Sequence, residues 1–207
     1  MAMLLVNQGS DQLTMQIPRN AKAAVACVAF AAFSGTVVAS NNIQLVVNGL
    51  AAPNFAAPPV TSAFATWCEG ICFPTTNQVV LDPENGQPKG SIYVWGKNFE
   101  FGAGGSICFS EFIVFALQQG EVHVASGDRG TCGAPIDPTL KPPLFPELGA
   151  TVVIGGGGDG AIVGGTGKYQ NWVGTYTDRV FVGFGAPTSG VGGIIYYDQL
   201  WFSISGK

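Results

Sequence analysis

Residues 160–185 read GAIVGGTGKYQNWVGTYTDRVFVGFG. The apolar run Ala161-Ile162-Val163 leads into Gly164-Gly165-Thr166-Gly167, and Thr175-Tyr176-Thr177 and Val180-Phe181-Val182 lead out. Paired glycines let the backbone take positive φ and let neighbouring strands approach closely, as a tight corner requires. The four residues do not make a phosphate loop, because Lys168 stands at the wrong spacing and no helical pattern follows. The stretch predicts a corner in a strongly curved sheet.

Strand signals extend in both directions. Asn42–Leu50 alternates weakly through Ile43, Leu45 and Val47. Residues 51–62 hold three prolines and read as an extended loop. Ala63–Phe73, with Trp67 and a Cys68/Cys72 pair, reads as a short strand or a stapled turn. Residues 74–90 are polar, with a turn at Asp82–Gly86. Ser91–Phe101 alternates with period two: Tyr93, Trp95, Lys97 and Phe99 share one face, Ile92, Val94, Gly96 and Asn98 the other. Ile107–Leu117 places Phe109, Glu111, Ile113 and Phe115 on one side, and Gly120–Ser126 follows as its hairpin partner. Residues 127–148, with five prolines, read as a long loop suited to gating a barrel mouth. Thr151–Ile154 restarts the sheet, residues 183–193 form a glycine-rich turn region, and 193–205 form the closing strand.

Composition agrees with an all-β domain. The 207 residues include 30 glycines and 13 prolines with no Gly-X-Y period, 47% are hydrophobic and only 11% are charged. Net charge is −4 and no Lys/Arg run occurs, which argues against nucleic acid as a partner. A chain of this length builds one full core, assigned to residues 41–207. Residues 22–40, with the apolar run AAVACVAFAAFSGTVVA, read as a signal peptide or as a buried strand pair turning at Ser34-Gly35. The first reading implies secretion, the second a cytoplasmic protein. The run is only marginally long enough to span a membrane, and no membrane span is expected. Five cysteines fall at 27, 68, 72, 108 and 132. Two bridges, Cys68–Cys72 and Cys108–Cys132, or reduced buried thiols fit this spacing. With one histidine and no second CxxC pair, no metal site is expected, and no cofactor motif is present.

Gly149-Ala150-Thr151-Val152-Val153-Ile154-Gly155, then Val163-Gly164-Gly165-Thr166-Gly167-Lys168-Tyr169 and Gly174, resemble the C-terminal core of the dirigent protein and allene oxide cyclase superfamily. The resemblance implies an eight-stranded antiparallel β-barrel, calycin-like, with an apolar interior. It also implies association as a homodimer or homotrimer. Members guide cyclisation or coupling of short-lived hydrophobic intermediates, and some microbial relatives close rings by Diels–Alder-type reactions. The implied ligand is a small hydrophobic, terpenoid or polyketide-like molecule. Plant dirigent members carry acidic residues where this chain has Lys97-Asn98, and an arginine where Val173 stands, which sets lignan coupling aside.

With so few ionisable residues, the groups able to do chemistry can be enumerated. Glu111 stands in an apolar strand, where burial would make it a usable acid; the alternative is an outward charge that discourages edge pairing. Asp178 and Arg179 fall on opposite faces of one strand, so at most one looks inward, as base or as carbonyl-polarising cation, or both form a surface pair. Asp198 lies between Tyr196-Tyr197 and Trp201, in a barrel lining or on a solvated strand. Tyr93, Trp95, Tyr176, Tyr196 and Trp201 would stack on a planar conjugated ligand if inward, and are otherwise core packing. Asn98 is a nearby polar group, and His123, the only histidine, is a binding or a structural residue. One histidine leaves a Ser-His-Asp triad open, but the absence of a G-x-S-x-G elbow argues against hydrolysis. These residues predict a cyclase or pericyclase, a lipocalin-like carrier sharing the same pocket, or a secreted structural or interaction barrel with a plugged core.

Overall fold

The computed structural model describes residues 41–50, 57–136, 152–185 and 195–207. The readings made for residues 1–40, 51–56, 137–151 and 186–194, including the signal peptide and the outer part of the proline-rich loop, lie outside the described residues. Eight strands form a closed antiparallel barrel in sequence order. They are β1 (Asn41–Leu50), β2 (Phe73–Leu81), β3 (Pro88–Phe101), β4 (Ile107–Leu117), β5 (Gly120–Pro135), β6 (Val152–Gly165), β7 (Gly174–Gly185) and β8 (Ile195–Gly206). Ten-residue pairing of β1 with β8, from Asn41↔Gly206 to Leu50↔Tyr197, closes the ring and removes the sheet edges. The 160–185 stretch forms the β6–β7 corner, where Thr166 and a 3-10 turn at Gly167–Tyr169 carry the chain to Gly174, which has φ 158.

Alternation splits each strand into an inner and an outer row. Leu45, Val47, Val80, Ile92, Val94, Ile113, Phe115, Val122, Val124, Ile162, Tyr176, Leu200, Phe202 and Ile204 form one buried cluster. Every strand contributes to it, so this is the barrel interior. It fills the half next to the β2–β3, β4–β5 and β6–β7 connections, called here the lower half. A second cluster, Phe64, Trp95, Phe112 and Val114, takes its strand residues from β3 and β4 and lies on the outer wall.

That outer wall is covered by a short helix, α1 (Ser62–Trp67), where Trp67 and the Cys68/Cys72 pair predicted a short strand or a stapled turn. Thr61 caps it, its hydroxyl accepting a 3.1 Å hydrogen bond from the Phe64 amide. Phe64 and Trp67, three residues apart, share one helix face. The Phe64 ring meets Trp95 edge-on at 5.3 Å and Phe112 at 5.0 Å. Three other expectations need correction. The polar segment before Asp82 is β2; it scarcely alternates because few of its side chains are buried. The sheet restarted at residue 151 does not pause at the glycines, since β6 runs unbroken through Gly155–Gly158. Residues 127–135, read as loop, belong to β5, which loops out at Gly127–Gly130 and rejoins its neighbours at Thr131.

The sulfurs of Cys68 and Cys72 lie at disulfide distance just after α1, with Cα atoms 5.5 Å apart. Cys108 and Cys132 face each other across β4 and β5, with Cα atoms 4.1 Å apart. Both pairs are compatible with an oxidising environment. No helix among the described residues is long and apolar enough to cross a membrane.

Candidate functional site: an acidic tier inside the barrel

Above the apolar plug, the inner rows turn polar. Glu111 on β4 follows Ile113 and Phe115 inward; Asp178 on β7 follows Tyr176; Asp198 on β8 follows Leu200 and Phe202. All three carboxyl groups are buried, at 5%, 4% and 4% exposure. The inward-facing Ile154, Val180 and Val182 beyond them are only partly buried. Phe99 stacks on Phe109 at that rim, with ring centroids 5.1 Å apart.

The β5 excursion assembles the surroundings of Glu111. It brings Thr131 to the carboxyl group and Ser126 to the backbone of Glu111: the Thr131 hydroxyl donates to Glu111 Oε2 at 2.6 Å, and the Glu111 amide donates to Ser126 Oγ at 2.8 Å. Asp198 accepts a hydrogen bond from the Gln78 amide on β2. Asp178 differs, because neither of its carboxyl oxygens has a hydrogen-bond partner. The Tyr176 hydroxyl is likewise unpartnered; Thr131 and Ser126 lie near it without closing a bond. Gly158 and Gly160 make this crowding possible. A Cβ at Gly158 would fall 2.5 Å from Thr131 Oγ1, and one at Gly160 would fall 2.7 Å from the Tyr176 ring.

Electrostatics follow from burial. Desolvation raises Glu111 well above the ordinary carboxyl range, the charge on Asp178 adds to this, and the Thr131 bond opposes it. Asp178 is raised mainly by desolvation, against the pull of the nearby Gly158 amide. Asp198 is pushed up to about 7 by desolvation, with Gln78 opposing. Burial also raises the Tyr176 phenol, keeping it a neutral donor. Within this tier a carboxylic acid is available at neutral pH to donate a hydrogen bond.

Four residues singled out from sequence lie on the inner face: Glu111, Asp178 and Tyr176 influence one another, and Asp198 is held separately by Gln78. The others lie elsewhere. Arg179 is exposed on the outer face, as strand alternation requires once Asp178 points in. Trp95 and Tyr93 pack against the outer wall under α1, so neither lines the interior. Asn98, with φ 56, sits on a β3 bulge and donates to Asp128 at 3.2 Å. His123 is fully buried on the same outer face as Ala125, its Nε2 2.9 Å from Glu121 and its ring centroid 6.2 Å from that of Phe112. Trp201 is 43% exposed and meets Phe181 edge-on at 5.9 Å. Tyr196 pairs its backbone with Phe184, and its side chain lies outside the described residues. Sequence reading missed Thr131, Ser126 and Gln78. No alternation marked them, since two flank a register break and the third sits in a polar strand.

Two recesses lie outside the tier. One, of about 410 Å³, opens at the lower rim beside Asn42, Asp82, Lys89 and Gln119, where Lys89 is paired with Asp82 at 2.7 Å. The other, of about 390 Å³, runs between α1 and the outer wall beside Thr66, Trp67, Ala125 and Val163. Neither gathers carboxyl groups as the interior does, and among the described residues no set of three or more His, Cys, Asp or Glu side chains converges as a metal site. No family model, curated protein or solved structure matches this chain.

Proposed function

We propose that the barrel binds a reactive, largely apolar small molecule above its plug and directs its stereoselective ring closure, of Diels–Alder or hetero-Diels–Alder type. The observation that carries this reading is the buried acidic tier, with Glu111 held by Thr131 inside an otherwise apolar interior. In its protonated form Glu111 donates a hydrogen bond to the carbonyl of an enone or quinone methide and lowers its acceptor orbital. The barrel wall holds diene and dienophile in one folded conformer. Two σ bonds then form at the expense of π bonds, and no atom or electron leaves. Well-oriented intramolecular reactions gain roughly 7–11 kcal/mol from proximity alone, so a shaped wall and one donor suffice.

Membership of the dirigent and allene oxide cyclase superfamily is part of the proposal, supported by the eight-stranded barrel and its GGTG corner. Here the inward acids come from β4, β7 and β8, while Lys97 points outward to the Trp67 carbonyl. A secreted protein that associates as a homodimer or homotrimer fits the paired cysteines and the exposed Trp201.

The test is to incubate the protein with an unstable polyene enone or quinone methide and resolve the products by chiral chromatography. An enantiomeric excess that Glu111→Ala abolishes supports the cyclase. A racemate with measurable binding of the same compound indicates a carrier. A racemate with no binding removes the reading altogether.

A further inference from the structure

We propose that Asp178 is the counter-ion for a positively charged nitrogen on the barrel's apolar ligand, an assignment that rests on reading the interior as a binding chamber. The three inward carboxyl groups are not equivalent. Glu111 has Thr131 and Asp198 has Gln78, whereas both oxygens of Asp178 are buried with no side-chain partner and only the backbone amides of Gly158 and of Asp178 itself nearby. A buried carboxylate left this way is costly unless something outside the chain's own side chains satisfies it.

Among the described residues no basic side chain is placed to do so. The basic groups among the described residues all lie outside the barrel. Lys89 pairs with Asp82 and Arg129 with Glu100; Lys97 reaches the Trp67 carbonyl; Lys168, Arg179 and Lys207 are exposed. Among the described residues the interior therefore holds three acids and no cation.

The neighbours of Asp178 favour an organic ammonium over a bare ion. Phe202 is its direct cross-strand partner, buried on the same inner face, and Tyr176 precedes it on its own inward row. Phe202 in turn packs edge-on against Phe115 at 5.0 Å. A carboxylate flanked by aromatic rings provides charge pairing together with cation–π attraction. A hard metal ion would need six or more oxygen ligands, and this donor set falls short of that. The apolar plug below and the partly buried Val180 and Val182 above accommodate the hydrocarbon part.

The experiment compares three probes of one skeleton, 4-phenylbutylamine, 4-phenylbutanol and 4-phenylbutyrate, by isothermal titration calorimetry with the full chain at pH 7.5. The assignment expects the amine to bind at least tenfold more tightly than the alcohol, and the acid to bind most weakly. Asp178→Asn should reduce the amine-to-alcohol ratio to below about twofold, while Arg179→Gln, outside the barrel, leaves it unchanged. Carboxyl 13C NMR of the wild type gives a readout independent of how the variant folds: the Asp178 resonance should move on adding the amine and stay put with the alcohol. Equal binding of amine and alcohol, or an amine preference that survives Asp178→Asn, overturns the ion pair and leaves the apolar chamber standing. Failure of all three probes to bind overturns the chamber as well. A calcium chloride titration that shifts the Asp178 resonance and blocks the amine would replace the organic cation by a metal.

Discussion

The Thr131 hydroxyl donates a 2.6 Å hydrogen bond to Glu111 Oε2 from the far side of the Gly127–Gly130 excursion in β5. The register break is what makes the bond. Thr131 is brought beside a strand position that an unbroken ladder would have given to a residue nearer Ser126. The Gly127–Gly130 segment is anchored outside by its own contacts, with Asp128 bonded to Asn98 and the Arg129 amide donating to Ser110 Oγ at 3.0 Å.

Thr131→Val keeps the shape and removes the donor. The Glu111 carboxyl then lies buried without that partner, and the folded state should lose about 1–3 kcal/mol. Glu111 should also hold its proton to higher pH, because the bond that favours the charged form is gone. Urea unfolding gives the first quantity, and carboxyl 13C NMR against pH gives the second.

The pH dependence of stability has a defined sign. Asp198 ionises near 3.8 when unexceptional and at about 7 in the fold, so the folded protein keeps a proton that the unfolded chain has released. Its contribution is complete below about pH 4 and is lost as pH rises through 7. Glu111 and Asp178 are shifted in the same direction. The melting temperature should fall steadily between pH 4 and 8, and Asp198→Asn should flatten that slope. A melting temperature that climbs over this range would contradict burial of these acids.

Gly160→Ala should be poorly tolerated. Its Cβ would press on the Ala125 carbonyl and come within 2.7 Å of the Tyr176 ring, and neither has room to move inside the wall. A loss of more than about 3 kcal/mol is expected, in the range reserved for overpacked cores. Gly127→Ala, with nothing within 4 Å of the added carbon, is the control and should fall within about 0.5 kcal/mol of the wild type.

The two disulfides should differ in weight. Cys108–Cys132 spans 24 residues and Cys68–Cys72 spans 4. Loop-closure entropy then gives about 3–4 kcal/mol for the first and about 2 kcal/mol for the second. Paired Cys→Ala variants compared by thermal unfolding should rank in that order.

Much of the wall was legible because it obeys period two. Phe109, Glu111, Ile113 and Phe115 read as one face, but alternation left open whether Glu111 aims inward or outward. Asp178 and Arg179 had to diverge, and they do. Alternation failed where both faces are apolar: in β3 it did not choose between Ile92-Val94 and Tyr93-Trp95, since α1 buries the outer row as thoroughly as the barrel buries the inner one. It failed again at Gly127-Asp128-Arg129-Gly130, whose residue types are those of an ordinary turn although the strand resumes beyond them. The partners of Glu111 lie on either side of that interruption, so the residue was visible in the sequence and its environment was not.

The apolar plug has a consequence for traffic. With Phe115, Val122, Leu45 and Ile204 packed across its lower half, the barrel is closed at that end. Under the proposed function, a guest that enters past Phe99 and Phe109 must back out by the same door. Departure of one guest and arrival of the next would then be mutually exclusive events, and a high concentration of finished product would hold off fresh starting material.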